Sequence, residues 1–576
     1  MTNPDVAAIL ERIGDLLEIK GESKFKVIAY RKAAESVRGL GRELGAIHRE
    51  GALDGIPGFG AAIVAKVAEL LDTGSLGYYT KLAEEIPPAL AELLQVPDMG
   101  PKKVKLVWEA LGVTDLAGLE AAARSGRLRD LPGMGEKSEA RILAGLQTRT
   151  RRSDRLPLGA ALPIAEAIAA DLRALPGVVA VESAGSLRRR RETVGDLDIL
   201  AAADDAAPVI QAFVNRPDVS RVLGQGPVKA SVELVSGLRA QLWVHPPAHF
   251  GSALLYATGS KDHNVALREF ALAHGFSLSE HGLKRMVDGG ELRFATEAAL
   301  YAALGLPFIA PELREDRGEI AAARAGRLPR LVELPSVVSA LHNHSDWSDG
   351  KASILEMAEA AVARGLQVLA ITDHSGGLGI TQGPKEADLP RQREALRAAQ
   401  SRLGDRIRLL HGSEVEIRAD GSLDFSDAAL AELDLVVAGL HVSLRQGREQ
   451  VTARMLAAIR NPHVDIIAHP TGRMIPDRPG ADLDLDAVLA AAAESGVALE
   501  INANPKRLDL SDVLARRALE AGCLISINTD AHRPEHFDYL HYGVAVARRA
   551  WAEPDRILNC WAPERLLAWL ADRGRL

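Results

Sequence analysis

The stretch GSLRRRRETVGDLDIL, residues 185–200, determines the fold of the middle of this chain. Its last part, beginning at Asp196, is an apolar run typical of a β-strand, and side chains alternate along a strand. Asp196 and Asp198 therefore face the same side. Two carboxylates at this spacing can share a pair of divalent ions that align a hydroxyl group with a triphosphate.

A phosphate-binding turn precedes the two aspartates. Gly185 and Ser186 offer backbone N–H groups and a hydroxyl group to phosphate oxygens, and Arg189 adds positive charge. A further glycine, Gly195, directly precedes the first aspartate. The Gly-Ser pair followed by Gly-Asp-x-Asp resembles the motif of the nucleotidyltransferase superfamily. That resemblance implies an α+β palm domain in which the two aspartates are the catalytic residues.

The segment SALLYATGSKDHNVALR, residues 252–268, resembles the Tyr-x-Thr-Gly-Ser stretch of family X DNA polymerases, the polymerase beta group. The resemblance implies that Tyr256 and Gly259 line the sugar pocket of an incoming dNTP, with Tyr256 excluding ribose. It also implies that Asn264 and Arg268 reach the base and the template.

One position departs from that family. Its third catalytic carboxylate follows a hairpin that aligns here with residues 231–246, and the aligned residue is Gln241. An amide is a poor metal ligand and cannot act as a base. Glu233, on the paired strand, is the nearest alternative carboxylate. We therefore expect either a weakened polymerase that Mn²⁺ rescues or a palm that only positions DNA for a nuclease.

Three segments of the N-terminal third repeat one unit, which consists of an apolar residue, Pro, a short turn containing Gly, and an amphipathic helix. They are IPGFGAAIVAKVAELL (56–71), VPDMGPKKVKLVWEAL (96–111) and LPGMGEKSEARILAGL (131–146). This is the helix-hairpin-helix pattern, which contacts the DNA backbone without reading bases. The predicted DNA contacts are Gly58, Gly60, Gly100, Lys102, Lys103, Gly133 and Gly135. In the second copy Asp98 replaces the first turn glycine.

Residues 8–87 resemble the small N-terminal domain of family X polymerases, in which a lysine forms a Schiff base with a 5′-deoxyribose phosphate. The matching position is Lys66, whereas Ala62 stands where that family has a second lysine. The resemblance thus makes Lys66 the candidate lyase residue. Residues 141–155 contain five arginines and are expected to link to the palm.

The C-terminal part repeats a different unit, in which an apolar strand ends at a histidine or an acid and a helix follows. The seven strand ends occur in SALHNHSDWSDG, VLAITDHS, LLHGSEVEI, LVVAGLH, VDIIAHP, VALEINAN and LISINTDAH. This alternation predicts a parallel barrel with its site at the C-terminal ends of the strands. The predicted metal ligands are His342, His344, Asp349, His374, Glu414, His441, His469, Asp530 and His532. So many ligands exceed the needs of one ion, and two or three ions are expected.

These motifs match the polymerase and histidinol phosphatase (PHP) family. PHP domains fused to bacterial family X polymerases act as Mn²⁺-dependent 3′→5′ exonucleases, and some cleave at abasic sites. The resemblance implies that activity here, with two or three Mn²⁺ or Zn²⁺ ions, while the palm would use Mn²⁺ or Mg²⁺ with dNTP substrates. The alternatives are a small-molecule phosphatase and a non-catalytic scaffold that binds DNA ends.

The charge distribution agrees with these motifs. The 576 residues carry 69 basic and 77 acidic side chains, and a net charge of −8 taken as a whole argues against DNA binding. However, residues 1–337 contain 42 basic and 43 acidic residues, whereas residues 338–576 contain 27 and 34. The second part also holds 10 of the 16 histidines. The negative charge therefore belongs to the predicted metal-binding half.

The sequence thus predicts a multidomain protein. Its expected parts are an N-terminal helical domain (1–87), a helix-hairpin-helix fingers domain (88–155), an α+β nucleotidyltransferase palm (156–245), a thumb (246–315), a linker (316–337) and a distorted (β/α)7 PHP barrel (338–576). We expect a monomeric, cytoplasmic DNA repair enzyme. It would fill gaps as a DNA-directed DNA polymerase and degrade 3′ ends as an exonuclease, on gapped, nicked or 3′-ended duplex DNA. No segment has the apolar length of a membrane span, and two cysteines exclude a disulfide framework.

Overall fold

The structure, a computed structural model, describes residues 3–40, 43–94, 96, 98–149, 155–377 and 381–573. The chain divides into two units, Met1–Ser153 and Asp154–Leu576. Arg151 and Arg152 of the predicted arginine-rich link lie outside the described residues. Within the described ranges, no helix is both long enough and apolar enough to cross a membrane.

The N-terminal unit is helical in its described residues. Its helices are α1 (Asn3–Lys20), α2 (Lys24–Gly39), α3 (Leu44–Arg49), α4 (Ala61–Thr73), α5 (Gly77–Glu85), α6 (Leu90–Leu93), α7 (Pro101–Leu111), α8 (Leu116–Arg124) and α9 (Glu136–Arg149). Apolar residues at helical spacing place one face of these helices in a shared core, which includes Leu10, Val37, Val67, Val104 and Leu119.

The three predicted hairpin turns have the same backbone conformation. Gly58, Asp98 and Gly133 have φ angles of 84°, 70° and 76°, in the left-handed region that favours glycine and tolerates aspartate. In each copy the next residue donates a backbone hydrogen bond of 3.0 Å to the carbonyl group three residues earlier. Helices α4, α7 and α9 each begin three residues after this position. The predicted repeat is confirmed, including its second copy with Asp98.

The second unit begins with the α+β palm. Its elements are β1 (Leu156–Pro157), α10 (Leu158–Arg173), β2 (Val178–Ser183), α11 (Gly185–Arg188), β3 (Thr193–Val194), β4 (Asp196–Ala203), α12 (Ala207–Val214), β5 (Val219–Gln225), β6 (Lys229–Leu234) and β7 (Arg239–His245). Five strands form a sheet in the order β2-β4-β7-β6-β5. Strands β4 and β7 are parallel, and the other neighbouring pairs are antiparallel. Buried residues of α10 and α12 pack on one face, against the side chain of Ile199 and its neighbours.

The thumb follows the palm. Its elements are α13 (Phe250–Thr258), α14 (Lys261–Ala273), β8 (Phe276–Ser279), β9 (Gly282–Arg285), β10 (Glu291–Leu292) and α15 (Glu297–Ala303). Helix α13 covers the second face of the palm sheet, where Phe250 and Leu254 share a cluster with Leu200 of β4. The predicted linker contains helix α16 (Glu319–Arg324).

The C-terminal part is a parallel barrel. Its elements are β11 (Ser339–Ala340), α17 (Ile354–Ala363), β12 (Val368–Ile371), α18 (Leu389–Leu403), β13 (Arg408–Glu416), α19 (Asp427–Leu430), β14 (Leu435–Gly439), α20 (Arg448–Arg460), β15 (Ile466–Ile467), α21 (Leu485–Ser495), β16 (Ala498–Asn502), α22 (Asp512–Glu520), β17 (Ile525–Asn528), α23 (Leu540–Arg549) and α24 (Pro563–Asp572). Its seven strands lie in sequence order. A parallel bridge between Asn343 and Ala531 joins the two ends of the sheet. The predicted (β/α)7 barrel is confirmed, and two of its strands, β11 and β15, have only two residues each.

Palm and barrel pack directly against each other. Buried apolar residues of both, among them Leu162 and Leu508, belong to one continuous cluster. A Cβ atom on Gly159 would lie 2.3 Å from Pro505 Cβ, so only a glycine permits this approach of the palm to the barrel.

Candidate functional site

The C-terminal ends of the barrel strands bring all nine predicted metal ligands together. Eight of them fall into three groups whose ligand atoms lie within 4.8 Å of one another. The groups are His344, Asp349, His374 and His532; His342, His344 and Asp530; and His374, Glu414 and His441. The ninth, His469, has its Nε2 atom 3.1 Å from Glu414 Oε1.

Glu414 lies at the centre of this set. Its Oε2 atom is 3.2 Å from His342 Nε2 and 2.9 Å from His374 Nδ1, and its Oε1 atom is 3.2 Å from His441 Nε2. Both carboxylate oxygens are nevertheless buried without a hydrogen-bond partner. Because buried polar atoms normally have partners, the geometry fits ligands that converge on a cation.

Burial and charge set the protonation states around Glu414. Burial opposes a charge on His342, but nearby carboxylates, chiefly Glu500, outweigh burial and raise the pKa of His342 well above its ordinary value. Burial lowers the pKa of His344 to about 3. The surrounding histidines outweigh the effect of burial on Glu414 and hold its pKa well below the usual range. An ionised Glu414 and a neutral His344 are the forms that bind metal, whereas His342 has to release a proton to do so.

Two acidic residues that sequence reasoning missed contact the candidate ligands. Glu500 Oε1 lies 2.8 Å from His342 Nδ1, and Glu416 Oε2 lies 2.6 Å from His441 Nδ1. A carboxylate at the far ring nitrogen orients an imidazole ligand and determines its tautomer. Glu500 stands in the strand-end phrase VALEINAN, and Glu416 follows Glu414 by two residues on β13. The alternation of strand side chains was therefore a signal for both.

In the palm, strand β4 begins at Asp196 and carries Asp198 on the same face. Burial, and then the charge of Asp196, raise the pKa of Asp198 to about 7. A divalent cation would relieve this repulsion, so the pair fits a metal site. Gly185 has a φ angle of 58°, and a Cβ atom there would lie 2.4 Å from Asp198 Oδ2. Only glycine permits the predicted phosphate-binding turn to approach the carboxylate so closely.

Gln241 occupies the neighbouring position on β7. It is paired in register with Asp198, and its Nε2 atom donates a hydrogen bond of 3.2 Å to Asp196 Oδ2. Glu233 lies one strand further, on β6, where its Oε2 atom accepts a hydrogen bond of 3.0 Å from Arg221. Among the described residues, the groups of three or more His, Cys, Asp or Glu that could hold an ion all lie in the barrel. Glu233 therefore does not form such a group with Asp196 and Asp198 in the described residues.

Tyr256, Asn264 and Arg268, which the family resemblance places at the nucleotide, lie together on α13 and α14. Asn264 Nδ2 donates a hydrogen bond of 2.8 Å to the carbonyl oxygen of Tyr256, and the Arg268 guanidinium lies 5.3 Å from the Tyr256 ring. The Tyr256 residue is 45% exposed, and Asn264 Oδ1 is buried without a hydrogen-bond partner. Gly259 ends α13 with a φ angle of 68°. The exposed Tyr256 ring is therefore accessible to a ligand, whereas the amide oxygen of Asn264 is not.

Arg189 is paired within the protein. Its Nη1 atom donates a hydrogen bond of 2.6 Å to the carbonyl oxygen of Thr258, and its Nε atom donates one of 3.1 Å to Glu315 Oε1. Ser186 of the predicted turn lies in α11, and Gly195 directly precedes β4. The Arg189 guanidinium is thus paired with Glu315 before any phosphate binds.

The hairpins of the N-terminal unit present the start of a helix. Gly60 and Gly100 are the N-cap residues of α4 and α7, and Gly135 directly precedes α9. Lys102 is exposed, whereas Lys103 Nζ lies 3.1 Å from Asp98 Oδ1. Lys102 therefore has the more accessible ammonium group.

The candidate lyase residue Lys66 has an aromatic neighbour. Its Nζ atom lies 4.8 Å from the centre of the Tyr78 ring. Lys26, which sequence reasoning missed, has its Nζ atom 5.9 Å from the same ring. A second lysine therefore lies near Lys66, but it is Lys26 and not the residue at position 62, where the family has its second lysine.

Models of known families match four parts of the chain. A helix-hairpin-helix domain matches residues 1–76, and a SAM-like helix-hairpin-helix tandem matches residues 90–148. The DNA polymerase beta thumb matches residues 253–315, and the PHP domain matches residues 340–504.

Curated proteins resemble the chain over its whole length and over part of it. A probable phosphatase of Edwardsiella ictaluri is 34% identical to this chain over 246 residues, which are 41% of this chain and 94% of that relative. A probable phosphatase of Shewanella halifaxensis is 32% identical over 244 residues, 40% of this chain and 92% of that relative. The DNA polymerase/3′-5′ exonuclease PolX of Bacillus subtilis (strain 168) is 37% identical over 572 residues, 99% of both chains. The chain therefore belongs to the family X DNA polymerases that carry a C-terminal PHP domain.

Proposed function

We propose that this chain is a DNA repair enzyme that fills gaps with its palm and degrades 3′ ends with its PHP barrel. One observation carries the proposal, namely that a single chain holds two separate acidic centres, the Asp196–Asp198 pair and the cluster around Glu414. The Bacillus subtilis relative, whose name includes both activities, supports it. We also propose the domain boundaries predicted from the sequence, since all four family matches fall inside them.

In the polymerase reaction, Asp196 and Asp198 would hold Mg²⁺ or Mn²⁺. Bound ions of this kind align a 3′-hydroxyl group with a dNTP and stabilise the charge on phosphorus. Gly185 keeps the phosphate-binding turn next to Asp198. Tyr256 would pack against the sugar, and Asn264 would reach the base.

In the exonuclease reaction, the nine barrel residues would hold two or three Mn²⁺ or Zn²⁺ ions. Such ions acidify water and stabilise the transition state of phosphodiester hydrolysis. The protein contributes ligands of fixed orientation, because Glu500 and Glu416 accept hydrogen bonds from the far nitrogens of His342 and His441. The helix-hairpin-helix turns would bind the backbone of the DNA substrate.

The two activities are tested together on a gapped, 3′-tailed DNA duplex with and without dNTPs. We expect Asp198→Ala to lose extension only and His344→Ala to lose degradation only. Asp204→Ala, an exposed aspartate after β4, and His463→Ala, a barrel histidine outside the candidate groups, are matched controls that should keep both activities. If one of the two active-site variants loses both activities while remaining folded, the sites are not independent.

A second function is favoured by the amide at Gln241, which leaves the palm with two carboxylates. In that case the palm would position DNA for the barrel and would not polymerise. Degradation by the wild type without any extension, in Mg²⁺ and in Mn²⁺, would establish this alternative.

For the N-terminal unit we propose that Lys66 forms a Schiff base with a 5′-deoxyribose phosphate. Its place beside Tyr78 and Lys26 supports the proposal. Borohydride should trap an adduct with the wild type and with Lys81→Ala, an exposed lysine of α5, but not with Lys66→Ala. Absence of an adduct with the wild type would refute the lyase activity.

A further inference from the structure

A barrel arginine reaches into the palm. Arg549, at the end of α23, has a side chain that is only 2% exposed. Its Nη1 atom donates a hydrogen bond of 2.6 Å to the backbone carbonyl of Arg189 and another of 2.9 Å to Glu315 Oε1. Its Nη2 atom donates one of 2.9 Å to Asp512 Oδ2 in the barrel. One guanidinium thus contacts the palm, the end of the thumb and the barrel.

The palm residue that Arg549 contacts connects two sides of the nucleotide site. Arg189 directly follows α11, which starts at Gly185, the glycine that lies against Asp198. The Arg189 side chain donates to the carbonyl oxygen of Thr258, and a Cβ atom on Gly259 would lie 3.2 Å from Arg189 Nη1. Arg189 therefore links the phosphate-binding turn to the predicted sugar pocket.

The ion pairs in this network persist at neutral pH. Burial alone would raise the pKa of Glu315, but Arg549 and Arg189 outweigh burial and lower it to about 2. Burial would also raise the pKa of Asp512, but Arg549 and Arg317 outweigh burial and hold it well below its usual range. Both carboxylates are therefore ionised and bind the guanidinium groups with charge-assisted hydrogen bonds.

We propose that the PHP barrel completes the nucleotide pocket of the palm, with Arg549 as a positioning residue for polymerisation that acts through Arg189 and Glu315. The inference rests on the proposed polymerase function. When the Arg549 side chain is removed, Arg189 is the remaining arginine within hydrogen-bond distance of Glu315. The backbone carbonyl of Arg189 also loses the hydrogen bond that Arg549 donates to it. The contact of Arg189 with Thr258 then loosens, and the dNTP pocket loses its fixed geometry.

The test compares two neighbouring arginines of α23. Arg548 also contacts the thumb, through a hydrogen bond of 2.7 Å from its Nε atom to Glu312 Oε1, and its Nη1 atom donates one of 3.0 Å to the carbonyl oxygen of Val332. Because these hydrogen bonds do not go to Arg189 or Glu315, Arg548→Met is the matched control. We expect Arg549→Met to raise the KM for dNTP about tenfold with less than about a threefold change in kcat. Arg549→Lys, which keeps the charge, should restore part of the affinity. Exonuclease activity and the Mn²⁺ content of the barrel should not change.

Two further measurements separate the possible failures. The double variant Arg549→Met with Asp512→Asn removes one positive and one negative buried group, and it should show the same rise in KM if the single variant unfolds. Binding of labelled dNTP is measured by equilibrium dialysis alongside extension. If the wild type neither extends nor binds dNTP, the proposed function fails and this inference with it. If the wild type does both, and Arg549→Met matches it or Arg548→Met shows the same defect, only this inference is overturned.

Discussion

The side-chain amide of Gln241 donates a hydrogen bond of 3.2 Å to Asp196 Oδ2. A carboxylate in its place would repel Asp196, whose charge already helps to raise the pKa of the neighbouring Asp198 to about 7. The amide therefore stabilises the acidic pair without a cation. It also lowers the affinity for a cation, because one ligand and one negative charge are missing.

Gln241→Glu supplies that third carboxylate at unchanged side-chain length. We expect Mg²⁺-supported extension to rise about tenfold and the preference for Mn²⁺ over Mg²⁺ to decrease, because the pair gains a ligand. Steady-state kcat/KM for dNTP in the two metals measures this effect. Gln241→Leu, which removes the hydrogen bond without adding charge, should show no gain. An unchanged metal preference in Gln241→Glu would mean that position 241 does not face the ion.

Glu500→Gln should weaken metal binding in the barrel by about 10- to 100-fold, because the amide no longer orients His342 in the tautomer that binds metal. Mn²⁺ content at buffered free concentrations, measured by mass spectrometry after dialysis, reports this directly. Exonuclease activity should fall in parallel, while extension stays unchanged. The control is Glu494→Gln, an exposed residue of α21. Full metal content in Glu500→Gln would remove Glu500 from the metal centre.

Gly185→Ala should reduce extension by about 100-fold, because the new Cβ atom would lie 2.4 Å from Asp198 Oδ2 and displace that carboxylate. The φ angle of 58° adds strain for any residue with a Cβ atom. Single-turnover extension rates measure the loss. Gly224→Ala, where a Cβ atom would meet no atom within 4 Å, is the control. Wild-type rates in Gly185→Ala would contradict the close approach.

Lys102→Ala should weaken binding to duplex DNA equally for all sequences, because an exposed ammonium at a hairpin contacts phosphate and not bases. The slope of log K against log salt should become shallower by about 0.9, which corresponds to one released counterion. Fluorescence anisotropy at several salt concentrations measures the slope. Lys105→Ala should change it less, since Lys105 Nζ lies 3.9 Å from Glu109 Oε1. Equal slopes for wild type and Lys102→Ala would exclude a phosphate contact.

Stability should depend on pH through a buried histidine of the thumb. Burial lowers the pKa of His263, whose ring nitrogens lie 2.6 Å from Glu319 Oε1 and 2.9 Å from the Tyr301 hydroxyl. Because the folded pKa is below the unfolded value of 6.5, the stabilisation is complete above pH 6.5 and is lost as the pH falls towards the folded pKa.

We therefore expect the free energy of unfolding to fall, below pH 6.5, by up to about 1.4 kcal/mol per pH unit more in the wild type than in His263→Gln. Urea titrations between about pH 5.5 and about pH 7.5 measure the difference. His281→Gln, whose side chain is 70% exposed, should follow the wild type. Parallel curves for wild type and His263→Gln would show that His263 is not buried in its neutral form.

The sequence by itself determined the residue types of both candidate centres and most of the architecture. Asp196 and Asp198 are two residues apart on one strand, and the barrel ligands follow successive apolar strands, so their types and spacing are visible without a structure. The helix-hairpin-helix turns are equally local, and even Asp98 adopts the expected left-handed conformation. Each of these patterns involves only a few consecutive residues, so it can be recognised without knowing the tertiary structure.

Only the tertiary structure decided which side chains hold these residues in place. Glu500 pairs with His342 across 158 residues, and Arg549 contacts Arg189 across 360. Such partners depend on which strands are neighbours, on their register and on how the barrel packs against the palm. Alternation along a strand indicates which face Glu416 and Glu500 occupy, but no pattern in the sequence indicates which side chains of distant segments they contact. The orientation of the metal ligands and the link between palm and barrel therefore arise from packing of the folded chain.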